Sequence, residues 1–360
     1  MGIDAGESHL RRVSHWKLYF LLLTVVLVFV FIFSLNIGFS QIPFDNLLTI
    51  LAKNIPFLGG VVKTPGTEEF LRQESIIMQI RMPRVLGGAL VGVALAGAGV
   101  AYQGIFRNPM ADPYTIGAMG GASFGAAVAI VLGVGVALLG VNTVPVFAFL
   151  GALGTAFLVY VISREGTRVP VTTLILSGLT ITIFFNALVT YLKLLAGNRL
   201  HALTFWIMGG FTYTDWTEVS TIFPLIIIGV AVIYLYARDL NILVLGEEQA
   251  QHLGVELERV KKILLGCGAL MTAAAVSISG LIGFVGLIIP HLTRIIVGPD
   301  HRILLPTSAI VGASFMMLCD SLARVIIAPS ELPVGVITAV SGGPFFIYLL
   351  RRKRRGYTAR

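Results

Sequence analysis

The sequence predicts an all-α, polytopic membrane protein with about ten transmembrane helices. Three observations lead there. Of 360 residues, 56% are hydrophobic and only 12% charged, whereas soluble domains usually carry about twice that charged fraction. Apolar runs of roughly 20 residues, the length that crosses a hydrocarbon core, recur along the chain. Glycine is frequent, at 40 residues, as suits helices that pack closely in lipid.

The spans lie near 16–36, 83–105, 114–135, 143–163, 171–195, 217–237, 260–280, 282–297, 304–325 and 336–350. The first has an uncharged run from Leu18 to Leu35 and no small-residue cleavage site after it, so it reads as a helix and not as a signal peptide. Segment 37–80 carries Pro43, Pro56, Pro65 and the pair Gly59-Gly60, and is expected to be an outer loop with one short helix. An even number of spans puts both termini on one side. With both in the cytoplasm, 18 of the 26 Lys and Arg residues fall inside, as the positive-inside rule requires. The tail RRKRRGYTAR reads as an orientation anchor ahead of a lipid-binding motif. No linker separates a second domain, so residues 1–360 are expected to form a single transmembrane domain in the inner or plasma membrane.

Composition also excludes functions. The net charge of +8 is scattered through short loops, not gathered into a nucleic-acid surface. Cys267 and Cys319 sit in apolar runs and read as buried packing thiols without metal spacing. The chain has no GxxxxGK[ST] phosphate loop, no HExxH and no Ser/His/Asp arrangement. His291, after Pro290, suits packing at a helix end. Acidic residues are nearly absent at mid-membrane depth, where ion-coupled transporters usually need them. No enzymatic site and no resident cofactor or metal are expected, so energy for transport would come from a partner.

Three stretches carry more. In QIRMPRVLGGALVG, 79–92, Pro83 suits the first turn of a helix, and Arg81 and Arg84 share one face. They read either as interfacial side chains snorkelling to lipid or as a docking site for carboxylates of an outer partner. In RNPMADPYTIGAMGGASFGAA, 107–127, Asn108-Pro109 and Asp112-Pro113 form turns. Gly117, Gly120, Gly121 and Gly125 then allow close helix packing. In RDLNILVLGEEQAQHLGVELERVKK, 238–262, a break at Gly246 precedes a polar helix, Glu247–Leu253, stopped at Gly254. An ordered helix in a charged inner loop, 238–258, suggests a docking element for a separate motor.

Taken in order, RMPR, RNPMADP, LGEEQAQHLGV, GLIGFVGLIIPHLTR, DHRILLP and ELPVGVITAVSGGPFFIYLL resemble the FecCD family over about residues 75–350. These are permease subunits of type II ABC importers for vitamin B12, haem and iron–siderophore complexes. The resemblance implies two permease subunits, a homodimer here, with two cytoplasmic ABC ATPase subunits that hold ATP and Mg, and an extracytoplasmic binding protein. It implies that Arg81, Arg84 and Arg324 dock the binding protein. Asn108, Met110 and Thr172 would belong to a cytoplasmic gate, and Gly246, Glu247, Glu248, Ala250, Leu253 and Gly254 to the ATPase-coupling element. The pathway would run along the fifth and tenth spans and a short outer helix near 202–210. Asp320 stands four residues before Arg324, and a pair between them at the surface is the bland alternative to docking. The rival reading is a stand-alone secondary transporter.

Overall fold

The structure, a computed structural model, describes residues 3–358 except 57–59, 61, 64, 134–141 and 167, with side chains described between Trp16 and Ile347. The end of the third expected span at 134–135, Gly59, and the side chains of the RRKRR tail lie outside the described residues. The described chain is helical, and its one β-bridge, Glu165 to Arg168, is isolated.

Among the described residues, seven helical stretches are long and apolar enough to cross a membrane, and three further apolar helices are shorter. The first is α1 (Ile3–Asn36). Two short helices follow, α2 (Phe44–Lys53) and α3 (Glu68–Ser75). A π-helical segment, Ile76–Arg81, then leads without a break into α4 (Met82–Ile105). Next come α5 (Ala118–Leu132), α6 (Thr143–Ile162), α7 (Val171–Leu195) and the short α8 (Leu200–Met208). They are followed by α9 (Trp216–Leu235), α10 (Ala237–Leu243) and α11 (Glu247–His252). The last four are α12 (Leu257–Ser279), α13 (Val285–Val297), α14 (His301–Val325) and α15 (Val334–Thr358).

The expectation for 37–80 needs correcting. The segment holds two helices, and the second spanning helix begins at Glu68, not at Pro83. Thr67 caps it, accepting from the Phe70 amide at 3.3 Å, and Glu68 and Glu69 favour its dipole. Pro83 does not start the helix because the chain widens ahead of it. In the π turn Met82 N–H bonds back to Ile77 O, and the looser winding makes room for the proline ring. The next carbonyl in that register, Met78 O, has no N–H from Pro83 to receive. Trp216 Nε1 donates to it instead, at 2.9 Å. Phe70, Ile77, Leu47 and Ile50 then pack with Leu35 and Met317 in a satellite core.

Helix α4 is the axis of the bundle. In the stretch Glu68–Ile105 that contains it, 78% of the apolar window is buried, against 11% for α7. Small residues allow this. A Cβ on Gly92 would collide with Gly312 O of α14, and one on Gly99 with Gly286 O of α13. The glycines after α4 serve packing too: Gly121 faces Gly151 O and Gly125 faces Phe147 O across the α5–α6 contact.

Candidate functional site: two charge clusters at opposite ends of the bundle

The first cluster forms where α4 begins and α14 ends. Arg81 donates to Leu35 O and Asn36 O, each at 2.9 Å, and to Ser40 O. Arg324 donates to Ser34 O at 2.9 Å and Ile37 O at 2.6 Å. The last carbonyls of a helix have no intrahelical donor, and here two guanidinium groups from other helices satisfy them at the end of α1. Arg84 forks between two carboxylates. Its Nε and Nη2 meet Asp320 at 2.9 and 2.8 Å, and its Nη1 meets both oxygens of Glu331 at 2.9 Å. Arg324 Nε reaches the other oxygen of Asp320 at 3.2 Å. Thr212 Oγ1 donates to Glu331 at 3.1 Å, so the segment before α9 joins the cluster.

The three arginines expected to dock a partner are therefore assembled in one place, and all are buried, at 5–7% exposure. One expectation changes. The Asp320–Arg324 pair is not a surface pair, because Asp320 is 1% exposed. The acidic partners of Arg84 stand 236 and 247 residues away in sequence, beyond the reach of any helix-spacing argument. Glu331 lies in the ELPVG motif and was not among the docking residues expected from sequence.

The second cluster lies near the other end of α4, where Tyr102 donates to Leu265 O of α12 at 3.0 Å. At 1.5 Å per residue the two clusters stand about 27 Å apart along the helix. Here α11 forms, one residue shorter than the expected Glu247–Leu253, with Leu253 as its C-cap. Gly246 at φ 130° and Gly254 at φ 84° bound it, conformations that other residues rarely adopt. Ala250 is fully buried, while Leu253 is 62% exposed. Lys261 of α12, itself buried, holds Glu247 at 2.9 Å and Glu258 at 3.5 Å. Lys261 had no place among the site residues expected from sequence.

The residues expected at a gate occupy the neighbouring turns. Asn108 Oδ1 accepts from the Met110 amide at 3.0 Å, and Met110 is partly exposed. The short helical turn Pro113–Ile116 follows. A Cβ on Gly178 of α7 would strike Thr115 O, so this turn lies directly on α7. Thr172 is exposed in the first turn of α7. Cys319 is buried as expected, and Cys267 is partly buried against the main core; both are free thiols. Among the described residues no three His, Cys, Asp or Glu side chains are grouped to hold a metal.

Comparison with known proteins agrees with this architecture. The model of the FecCD transport family matches residues 26–352. The chain is 45% identical over 276 residues to the cobalamin import system permease protein of Halobacterium salinarum, covering 77% of this chain and 73% of that protein. It is 40% identical to the hemin transport system permease protein of Yersinia pestis, covering 78% and 84%. It is 34% identical to the molybdate import system permease protein of Haemophilus influenzae, covering 93% and 95%. A solved metal-chelate type ABC transporter in an inward-facing conformation superposes with a TM-score of 0.78 at 33% identity, covering 92% of this chain and 98% of that one. The chain belongs to the FecCD transport family.

Proposed function

We propose that this protein is the membrane-spanning permease subunit of an ATP-driven importer for a metal chelate. It acts as a dimer with cytoplasmic ATPase subunits and an extracytoplasmic binding protein. The observation that carries the reading is the extent of the family match, residues 26–352. It takes in both charge clusters, the α4 axis and the α11 element in one continuous stretch. The chain itself performs no covalent step. Its work is to hold a pathway and to change which end is open.

In this reading the arginine end faces outward and α11 faces the ATPase. Helix α11 suits that role because it is short, bounded by two glycine turns, and presents Glu248 and Leu253 outward. The pathway is assigned to α7, α8 and α15. Leu179, Ile183 and Phe184 of α7 and Val340 of α15 are exposed, more apolar surface than one chain covers, which a second copy and lipid would share. Relatives named for cobalamin, haemin and molybdate do not share one cargo. The metal-chelate assignment follows the more similar two.

The test is reconstitution. The tagged chain is purified with its ATPase and binding protein and placed in vesicles. A corrinoid, haem and a ferric siderophore are then offered with ATP and Mg, or with an ion gradient alone. ATP-dependent uptake of one chelate is expected. Uptake driven by the gradient without ATP would establish the rival reading, a stand-alone secondary transporter.

A further inference from the structure

We infer that Lys261 and Glu258 are positioning residues that carry a displacement of α11 to the loop in front of α7. The use of such a relay rests on the importer reading. Its existence is a property of this chain alone.

The path is continuous and made of few atoms. Glu247, the first residue of α11, meets Lys261 Nζ at 2.9 Å. The same nitrogen meets Glu258 Oε1 at 3.5 Å. The other oxygen of Glu258 accepts from the Val169 amide at 3.2 Å. Val169 is buried and precedes Pro170, the N-cap of α7. The loop it ends is tied to the first turn of α7. Thr173 Oγ1 donates to Glu165 Oε1 at 3.2 Å, and Ser163 Oγ to Thr173 O at 3.4 Å. Thr172 stands in that turn. One lysine therefore joins the element assigned to the motor with the element assigned to the gate.

Stability alone does not explain a lysine here. A buried ion pair is often replaceable by an apolar side chain of similar volume at no cost to the fold. A lysine also differs from an arginine in kind. Its ammonium is a point charge with three donors on a flexible stem, so it keeps two carboxylates while their relative positions shift. Helix α11 depends on that grip, since six residues are too few for a helix to persist by itself.

The test is hydrogen exchange on the full-length chain in lipid nanodiscs, read at 165–172 and at 247–252. Glu258→Ala removes the acceptor for the Val169 amide, and exchange there should rise about tenfold. Glu258→Gln keeps an acceptor oxygen and should restore protection, whereas Glu258→Met keeps the bulk without a strong acceptor and should not; restored protection in Glu258→Met would assign the effect to packing and overturn the relay. Lys261→Met should loosen both segments together. Loosening of 247–252 with Val169 unchanged overturns the relay. If Lys261→Met does not fold, the Ala and Gln variants at Glu258 still decide it, because an unchanged Val169 amide in Glu258→Ala also overturns it. In the reconstituted complex Lys261→Met should retain ATP hydrolysis and lose transport per ATP several-fold. A wild-type complex without ATP-driven uptake would sink the importer reading, and the exchange arm would still decide the relay.

Discussion

Each end of α4 holds one buried cation between two carboxylates, yet the two clusters are built differently. Arg84 forks onto Asp320 and Glu331, whose side chains are 1% and 34% exposed. Lys261 touches Glu247 and Glu258, at 39% and 36%. The arginine fixes geometry through parallel bonds from a planar group, and Arg81 and Arg324 bolt the end of α1 beside it. The lysine fixes proximity and leaves angles open. One end of the bundle is locked by its own side chains, and the other is held by a contact that tolerates movement. A partner at the arginine end meets charges already satisfied. A carboxylate from outside gains Arg84 only by displacing Glu331, the more exposed of its two anchors.

The sharpest way to break this contrast is to remove the fixed carboxylate. Asp320→Ala leaves Arg84 and Arg324 facing each other in a buried site with Glu331 as the remaining anion. Taking one partner from a buried pair costs about 3–5 kcal/mol. The expected result is a large drop in melting temperature in detergent and a low yield of monodisperse protein. Lys261→Met should change melting far less. Equal losses in the two variants would show that both clusters are structural locks, and the contrast would fail.

A second test concerns the helix between the clusters. If α4 is a rigid axis, its close contact with α14 matters more than its sequence elsewhere. A side chain at Gly92 must push against Gly312 O, whereas nothing lies within 4 Å of a Cβ at Gly154 on α6. Gly92→Val should destabilise by about 1–3 kcal/mol through overpacking. Gly154→Ala should be neutral or slightly stabilising, because alanine favours the helix. Thermal denaturation of the two variants reads the difference.

How much of this was legible in the sequence follows from the range of each interaction. Hydropathy reads the spans because each is decided within one run of residues. The α11 element was visible because Gly246 and Gly254 mark its ends locally. The early start of the second helix was not read. Pro83 is a strong local signal for a helix beginning, and the π turn that overrides it depends on Trp216, more than a hundred residues away. The arginine cluster was half legible. The spacing of Asp320 and Arg324 was seen, but their burial depends on α1 and α4, and Glu331 reaches Arg84 only through the fold. Lys261 looked like one more basic residue of an inner loop, because its partners sit in separate elements.

A milder change at the locked end measures how much of the lock is exposed. Glu331→Gln removes one charge from Arg84 while leaving an oxygen for Thr212 and for Nη1. With Asp320 intact and Glu331 half-exposed, the expected cost is about 1 kcal/mol. The difference between wild type and variant should shrink as salt is raised, since exposed charge pairs are screened. A salt-independent difference would mean that Glu331 is as deeply fixed as Asp320.

The smallest expected effect lies at the adjustable end, in the turn that follows α4. Asp112 caps the Pro113–Ile116 turn, its Oδ1 accepting from the Tyr114 amide at 2.8 Å. Withdrawal from water pushes its carboxyl up from 3.8 to about 6, against the Tyr114 amide, which favours the charged form. Between those values the folded chain binds more protons than the unfolded one, so stability falls as pH rises from about 4 to 6 and then levels. Asparagine keeps the capping oxygen and carries no charge to desolvate. Asp112→Asn should therefore match wild type near pH 4 and exceed it above pH 6, by on the order of 0.5 kcal/mol for a half-buried group. Melting temperatures at pH 4.5 and 7.5 give the two readings. A gain of the same size at both values would assign the effect to packing in the turn. A loss at pH 7.5 would show that the ionised carboxylate is itself needed beside Asn108 and Met110, and that this end is more tightly specified than the exposure of its side chains implies.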